Sequence, residues 1–204
     1  MKRRAALALL ALLPLEAAAI AFCALRDPTQ QIYELYPQAT AFRSLVEHVD
    51  TDVKKVVAAE LPFTLHNREL GKHTLYVALS DGEPLGLVHV RAEASRWGLI
   101  EIAWALSFDL TIRDYRFQRC RDRACRSLAA DPFRSWIVGQ SASTLSRTVT
   151  GNGAHVDIAQ LPAGKGEGEL AAALVRSALK TILVTEAIWS SDIANLLVRS
   201  EPGR

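Results

Sequence analysis

The sequence predicts an α+β fold, in which a central antiparallel meander of about four strands is packed by helices and preceded by an N-terminal membrane or signal helix. Three observations predict it. An apolar run follows a basic N-terminus, short alternating segments occupy residues 73–118, and apolar residues recur at helical spacing on both sides of them. The 204 residues, 50% of them hydrophobic, suit one domain with a short extra segment.

The N-terminus has the organisation of an export signal. Met1-Lys2-Arg3-Arg4 is basic, and residues 5–25 then contain one charged side chain, Glu16. A basic end of this kind stays in the cytoplasm while the segment after it crosses the membrane. We therefore expect a leader at residues 1–26 and an exported domain at residues 27–204.

Two interpretations of the leader remain open. As a signal peptide, it has an apolar core at residues 5–13, a break at Pro14 and a cleavage site at Ala19-Ile20-Ala21. As a single membrane anchor, residues 5–25 are just long enough to span about 30 Å of hydrocarbon. Glu16 weakens the anchor, because a carboxylate at that depth is costly unless it is protonated or paired.

The remaining elements follow from periodicity. Residues 40–59 carry apolar side chains at steps of three and four, which predicts an amphipathic helix capped by Thr40. A short strand at residues 63–66 is an optional addition to the meander. The four meander strands are predicted at residues 73–79, 85–91, 99–106 and 112–118. A strong helix is predicted from Glu169, and a final helix at residues 190–198.

Charge argues against a nucleic-acid partner. The chain has 24 basic and 22 acidic residues, for a formal net charge of +2. The most basic stretch, residues 113–126, has arginines interrupted by Asp114 and Asp122, which is typical of a solvated face.

The histidines and tryptophans predict no site of their own. None of the five histidines has metal-ligand spacing, and His73 and His89 face each other across the predicted hairpin as a surface pair by default. The tryptophans are expected in the core or near the membrane rather than stacked on a ligand; they are Trp97, Trp104, Trp136 and Trp189.

Two cysteines lie close together, Cys120 and Cys125. In an oxidising compartment this pair closes a small disulfide loop. If the segment is regular helix, residues five apart point in different directions and cannot bridge. Both alternatives remain open.

The segment Ser141-Ala142-Ser143-Thr144-Leu145-Ser146 is rich in hydroxyl groups and precedes a helical stretch. On its own, such a run predicts a helix cap, in which side-chain oxygens accept hydrogen bonds from backbone N–H groups. Arg147 follows three residues after Thr144, so that both lie on one helical face if Thr144 is within the first turn.

Over roughly residues 35–186 the chain resembles the FMN-binding domain family, whose domain is shared by flavin-carrying components of sodium-translocating NADH:quinone reductases and of Rnf electron-transport complexes. A related domain is the exported part of the nitrous-oxide-reductase regulator. The resemblance rests on Leu35-Tyr36-Pro37-Gln38-Ala39, Gly86, the strand entry Trp97-Gly98-Leu99-Ile100, the strand at residues 109–117 and the hydroxyl-rich segment. The order of helix, meander, hydroxyl motif and helix also agrees.

The resemblance implies covalent FMN. The relatives' motif reads Ser or Asp, Gly or Ala, a small residue, Thr or Ser, any residue, and Ser or Thr. A flavin transferase joins FMN through its phosphate to the hydroxyl at the fourth position. All six positions comply here. The implied attachment point is Thr144, and the implied cofactor-binding residues around it are Ser141, Ala142, Ser143, Ser146 and Arg147.

The implied function is an electron-transfer module rather than a self-sufficient oxidoreductase. Its partners are a flavin transferase, a membrane or exported redox protein, and the membrane itself through residues 5–25. The implied location is the periplasmic face of a bacterial inner membrane, or the periplasm if the leader is cleaved. No catalytic side chain and no metal ligand are implied.

Three departures from the family leave alternatives open. Many relatives follow the last strand with Glu-Thr-Pro-Gly-Leu-Gly, a loop that packs near the flavin, whereas residues 118–123 share nothing with it. Relatives often have Gly where Ala142 stands, and residues 151–168 look inserted. The alternatives are FMN bound without a covalent link, and a binding or scaffold domain of the same fold that has lost its flavin.

Overall fold

The computed structural model describes residues 26–61, 63–150 and 155–200. The predicted leader and the predicted loop Gly151-Asn152-Gly153 lie outside the described residues. The helices are α1 (Thr29–Leu35), α2 (Thr51–Glu60), α3 (Ala124–Leu128), α4 (Phe133–Ile137), α5 (Ala142–Leu145) and α6 (Gly168–Ser200). The strands are β1 (Ala41–Val49), β2 (Gly71–Ser80), β3 (Glu83–Ser95), β4 (Gly98–Leu106), β5 (Ile112–Arg119), β6 (Val149–Thr150) and β7 (His155–Val156).

The α+β class and the antiparallel meander are confirmed. One sheet contains β1 to β5 in sequence order, each strand antiparallel to its neighbour, and β6 pairs with β7 in a separate two-stranded ribbon. The sheet has five strands where about four were expected, because the chain between residues 41 and 49 is also a strand.

The prediction of a helix over residues 40–59 was wrong in its first half. All nine residues of β1 pair with β2, and α2 begins only after Asp50, whose carboxylate accepts hydrogen bonds from the N–H groups of residues 52 and 53. The apolar residues of β1 are divided between two covered faces. Leu45 and Val49 pack on the side of α6, and Phe42 packs on the side of α1. These residues recur at steps of three and four, which is also the spacing of an amphipathic helix.

The short strand expected at residues 63–66 is also absent from the structure. The segment instead leads into a 3₁₀ turn, Asn67–Glu69, closed by a reciprocal cap. The Glu69 carboxylate accepts a hydrogen bond from the His66 N–H (2.6 Å), and His66 Nδ1 accepts one from the Arg68 N–H (3.1 Å). These local hydrogen bonds compete with strand pairing and turn the chain into β2.

The C-terminal part is one helix, not the two that were expected. α6 has 33 residues, with no glycine or proline after its first residue that would break it near Ser190. Trp189 and Ile193, on either side of the expected break, are both buried in the main core. Continuous packing against the sheet therefore holds the helix together through this region.

The two faces of the sheet are covered unequally. The face towards α6 carries the main core, which includes Leu87, Ile102 and Trp104. The opposite face carries a smaller core around α1, and Tyr36 at the end of α1 is its largest fully buried side chain.

Tyr36 explains the glycine at position 86. Its hydroxyl donates to the backbone oxygen of Leu106 (3.0 Å) and lies 3.2 Å from that of Leu87. The ring passes so close to Gly86 that a Cβ there would lie 2.8 Å from two ring carbons. A side chain at position 86 would therefore displace Tyr36 from the smaller core. Within the described ranges, no helix combines the length and apolar character needed to cross a membrane.

Candidate functional site

The hydroxyl turn, residues 141–146, is a single helical turn closed by its own side chains. Ser141 caps α5 by accepting a hydrogen bond from the Thr144 N–H (3.4 Å). In return, Thr144 Oγ1 accepts one from the Ser141 N–H (2.8 Å) and donates to the Ser141 backbone oxygen (3.0 Å). This reciprocal arrangement is a capping box. The sequence pattern for a cap is thus satisfied by the residues predicted to bind a cofactor.

The turn is fixed on one side and open on the other. Leu145 is fully buried in the main core, and α5 packs against α6. Thr144 and Ser146 are half-buried, whereas Ser143 and Arg147 are exposed. The Ser143 hydroxyl lies 2.9 Å from that of Ser141, and Ser146 donates to the Ser143 backbone oxygen (3.0 Å). The turn therefore holds its hydroxyl groups at the surface in fixed positions.

This geometry has a definite consequence for chemistry at Thr144. A phosphoester on Oγ1 replaces the hydroxyl proton, so the hydrogen bond to the Ser141 backbone oxygen is lost. The ester oxygen can still accept from the Ser141 N–H, because that bond uses the oxygen lone pair. Anion binding by the helix itself is weak here, since α5 has only four residues and a correspondingly small dipole. Arg147 makes no ion pair with any described residue, so its charge is available to an anion.

The structure does not bring residues 118–123 near the hydroxyl turn. The turn follows Gln140, whose backbone oxygen accepts a hydrogen bond from the Ile112 N–H at the start of β5 (2.9 Å). Residues 118–123 lie at the other end of this eight-residue strand, which is roughly 20 Å away. No residue of this segment therefore lies beside Thr144.

A second polar cluster was missed by sequence reasoning. We call it the buried charge network: Glu69, His73, His89, Arg91, Glu93 and Lys180, all at most 7% exposed. Lys180 Nζ lies 3.1 Å from Glu69 and 3.1 Å from Glu93, and Arg91 Nη2 donates to Glu69 Oε1 (2.8 Å). The members come from the 3₁₀ turn, β2, β3 and α6, so no sequence spacing relates them.

His73 and His89 do face each other, but they are buried, so the expectation of a surface pair was wrong. His73 Nδ1 lies 3.4 Å from His89 Nε2, His73 Nε2 lies 2.8 Å from the Glu69 backbone oxygen, and His89 Nδ1 lies 2.9 Å from Thr185 Oγ1. A carbonyl oxygen only accepts, so His73 Nε2 donates to it. The Thr185 hydroxyl donates its one proton to the Thr181 backbone oxygen (2.7 Å), so its oxygen accepts a hydrogen bond from His89 Nδ1–H.

Burial and nearby cations keep this pair neutral. Burial lowers the pKa of His73 to about 4, and the charge of Arg91 acts in the same direction. Burial and the neighbouring His73 lower the pKa of His89 well below its ordinary value. Burial would raise the pKa of Glu69, but Arg91 and Lys180 outweigh it and hold this pKa below its usual range. The network is therefore a set of matched charges beside a neutral histidine pair.

The network has unused donors. Arg91 Nε and Nη1 are buried and have no hydrogen-bond partner among the described residues. A separate groove lies between α2 and α6, beside Val56 and Leu183. Throughout the part of the chain that the structure describes, no group of three or more His, Cys, Asp or Glu side chains is arranged to hold a metal ion. The arrangement is that of an internal ion-pair network that stabilises the packing of α6 on the sheet.

The structure pairs Cys120 with Cys125 in a disulfide, with 6.4 Å between their Cα atoms. The segment bends at Asp122 before α3 begins, so the two residues are not on one regular helix, and the geometric objection to a bridge does not apply. Of the tryptophans, Trp104 and Trp189 are in the core, Trp136 is half-buried, and Trp97 is 57% exposed.

No protein-family model matches the chain, and no curated protein matches it with significant similarity.

Proposed function

We propose that the chain is an exported electron-transfer module that carries FMN, joined through its phosphate to Thr144. The observation that carries the proposal is the hydroxyl turn. All six positions fit the motif that a flavin transferase recognises, and Thr144 lies half-exposed in a surface turn between the sheet and the long helix. The resemblance in element order, with a meander before the motif and a helix after it, supports it.

The surroundings of Thr144 suit a phosphodiester in three respects. Ala142 and Ser143 are small, so they leave room beside the hydroxyl for a phosphate and for the transferase. The exposed Ser143 adds a hydroxyl group, and the exposed Arg147 adds a positive charge. FMN supplies the redox chemistry, and the chain's residues hold its phosphate and limit how the tethered ring is oriented.

A second candidate function is a binding or scaffold domain of this fold without flavin. Two observations favour it. The Thr144 hydroxyl is already engaged as donor and acceptor in the capping box, which gives the motif a structural role. Residues 118–123 are at the far end of β5, so the loop that packs near the flavin in relatives is missing from this site.

In-gel flavin fluorescence separates the two functions. The full chain is expressed with its export signal and a flavin transferase, and the denatured protein is examined for a fluorescent band. We expect fluorescence in the wild type and in Thr144→Ser, which keeps a hydroxyl, but none in Thr144→Val. Thr150→Val is the matched control, because Thr150 is an exposed threonine outside the motif.

The other outcomes are equally informative. A dark band from a protein that releases flavin on denaturation would leave only non-covalent binding. No flavin in either form would overturn the proposal and support the scaffold function. Fluorescence that persists in Thr144→Val would move the attachment to another hydroxyl.

A further inference from the structure

One end of the sheet carries a concentrated positive surface with an exposed indole. We call it the arginine–tryptophan patch, and it lies where β3 turns into β4 and where β5 ends. Its members are Arg26, Arg96, Trp97, Arg119, Arg121 and Arg123. Sequence alone shows only the mixed stretch at residues 113–126. The fold adds Arg26, Arg96 and Trp97 to it from other parts of the chain.

The β3–β4 turn projects Trp97 outwards. Gly98 has a φ of +101°, a conformation that residues with a Cβ rarely adopt, and the turn is closed by a hydrogen bond from the Ser95 hydroxyl to the Gly98 backbone oxygen (2.7 Å). Trp97 is 57% exposed, and the Arg96 guanidinium lies over its ring at 5.3 Å from the centroid. The Trp97 side chain therefore lies at the surface and is not part of the hydrophobic core.

The neighbouring loop presents two more arginines. The disulfide between Cys120 and Cys125 closes this loop, and Arg121 and Arg123 within it are exposed. Between them, the half-buried Asp122 accepts a hydrogen bond from the Ala124 N–H (3.0 Å) through its carboxylate. Together with Trp97, residues 121–123 line a cleft of about 440 Å³. The cleft thus has an aromatic wall and two guanidinium groups.

The patch also lies where the predicted leader joins the domain. Arg26, the first residue after the apolar segment 5–25, forms an ion pair with the buried carboxylate of Glu101 (3.5 Å), which also pairs with Arg119 (3.6 Å). Gln118 donates to the backbone oxygen of Asp27 (3.3 Å) and holds the same segment against β5. Arg26 and Asp27, which directly follow the predicted leader, therefore lie at this end of the sheet.

We propose that the arginine–tryptophan patch docks on anionic phospholipid headgroups of the membrane that the chain's leader crosses. The chemistry of the patch is complementary to such a surface, because arginine binds phosphate oxygens and tryptophan is enriched at the boundary between headgroups and hydrocarbon. The patch contains five arginines and only two acidic residues, Glu101 and Asp122. Glu101 forms ion pairs with Arg26 and Arg119, and Asp122 accepts a hydrogen bond from a backbone N–H.

The inference rests on the membrane part of the proposed function and is independent of the flavin. It also fixes the orientation of the domain. The hydroxyl turn follows the start of β5, at the opposite end of the strand from the patch. Docking through the patch therefore turns Thr144 away from the membrane and towards a transferase or redox partner.

Quenching of Trp97 by brominated lipid tests the docking. The full chain is reconstituted into phosphatidylcholine vesicles that contain dibrominated lipid, with and without phosphatidylglycerol, and tryptophan emission is measured at low and high salt. We expect stronger quenching with phosphatidylglycerol at low salt, and loss of this difference in Trp97→Phe. The other three tryptophans provide the background signal in both proteins.

Arginine variants test the charge. In Arg121→Gln/Arg123→Gln we expect the ratio of docked to undocked domain to fall roughly 30-fold, at about fivefold for each arginine. The matched control is Arg43→Gln/Arg113→Gln, which removes two exposed arginines at the other end of the sheet. Circular dichroism checks that each variant is folded. Equal quenching in the wild type, Trp97→Phe and the Arg121/Arg123 variant would overturn the proposal.

Two further measurements separate failure of the proposed function from failure of docking. Resistance of the wild type to extraction from membranes at high pH reports the anchor, and in-gel fluorescence reports the flavin. If the leader is cleaved and the protein is released, the released chain is floated with phosphatidylglycerol vesicles instead. Flotation that is lost in the Arg121/Arg123 variant supports docking, and no flotation of the wild type overturns it.

Discussion

The hydroxyl turn and the buried charge network are both polar, but they are built over very different distances along the chain. In the hydroxyl turn, every hydrogen bond joins residues two to four positions apart, and most members are at least partly exposed. In the network, Lys180 reaches Glu69 across 111 positions, and all members are buried. Local polar contacts can therefore be inferred from sequence, whereas a buried ionic cluster depends on the completed fold.

The two regions also differ in what they contribute to stability. A cap satisfies backbone groups that water would otherwise satisfy, so its net contribution is small. A buried network contains charges that have already lost their hydration, so removal of one partner leaves another charge without compensation. We therefore expect substitutions in the network to have the larger effects.

The largest effect is expected for Lys180→Met. Lys180 is the ion-pair partner of Glu93 and one of two cationic partners of Glu69, so the variant leaves a buried carboxylate without a cation. We expect the free energy of unfolding in urea to fall by about 3–5 kcal/mol. Lys55→Met is the control, since Lys55 forms an exposed pair with Asp52, which contributes little to stability. A Lys180 variant as stable as the Lys55 variant would contradict the prediction.

The next effect is a loss of stability in mild acid. His73 has a pKa of about 4 in the folded chain against 6.5 as its ordinary value, so the unfolded chain binds the proton more tightly. The contribution of His73 to the free energy of unfolding is complete above about pH 6.5 and is lost as the pH falls towards 4. His89 acts in the same direction. Each histidine adds a slope of roughly 1.4 kcal/mol per pH unit within this window.

Urea unfolding between about pH 7 and about pH 4.5 measures this slope. In this range the histidines of the unfolded chain take up protons, whereas most carboxyl groups stay ionised. His73→Gln should reduce it, whereas His48→Gln, at an exposed position on β1, should leave it unchanged. Titration of Glu69 does not interfere, because a carboxyl group with a lowered pKa costs stability only below its ordinary pKa. An unchanged slope in His73→Gln would show that another group is responsible.

The smallest effect is expected in the hydroxyl turn. Ser141→Ala removes the side chain that caps α5, and we expect the free energy of unfolding to fall by about 1 kcal/mol. Ser143→Ala is the control, because Ser143 is exposed and does not cap the helix. If Ser141→Ala were as destabilising as Lys180→Met, the distinction between local and long-range polar regions would fail.

The fold was predictable wherever turn residues mark the ends of a segment. The strands from β2 to β5 were placed within a few residues of their observed positions, because alternation and turn residues are local signals. β1 was mistaken for a helix because its apolar residues happen to recur at steps of three and four and continue without a turn signal into α2. The single long α6 was divided in two because the burial of Trp189 and Ile193 is decided by the sheet beneath them.

The candidate sites follow the same rule. The hydroxyl turn was identified from six consecutive residues, and its capping geometry was foreseen with it. The Cys120–Cys125 bridge remained open, because it depends on a bend at Asp122 that spacing does not specify. The buried charge network was missed because its carboxylates and cations are scattered through the chain like ordinary surface residues.

The sequence by itself determined the α+β class, the antiparallel meander and the capped hydroxyl turn, since each depends on side chains within a few positions of one another. Only the tertiary structure decided which charges are buried together and which are exposed together. Lys180 meets Glu69 because α6 crosses the sheet there, and Arg26 meets Arg119 through Glu101 because the start of the domain lies against the end of β5. Such encounters arise when distant elements pack, and spacing along the chain does not record them.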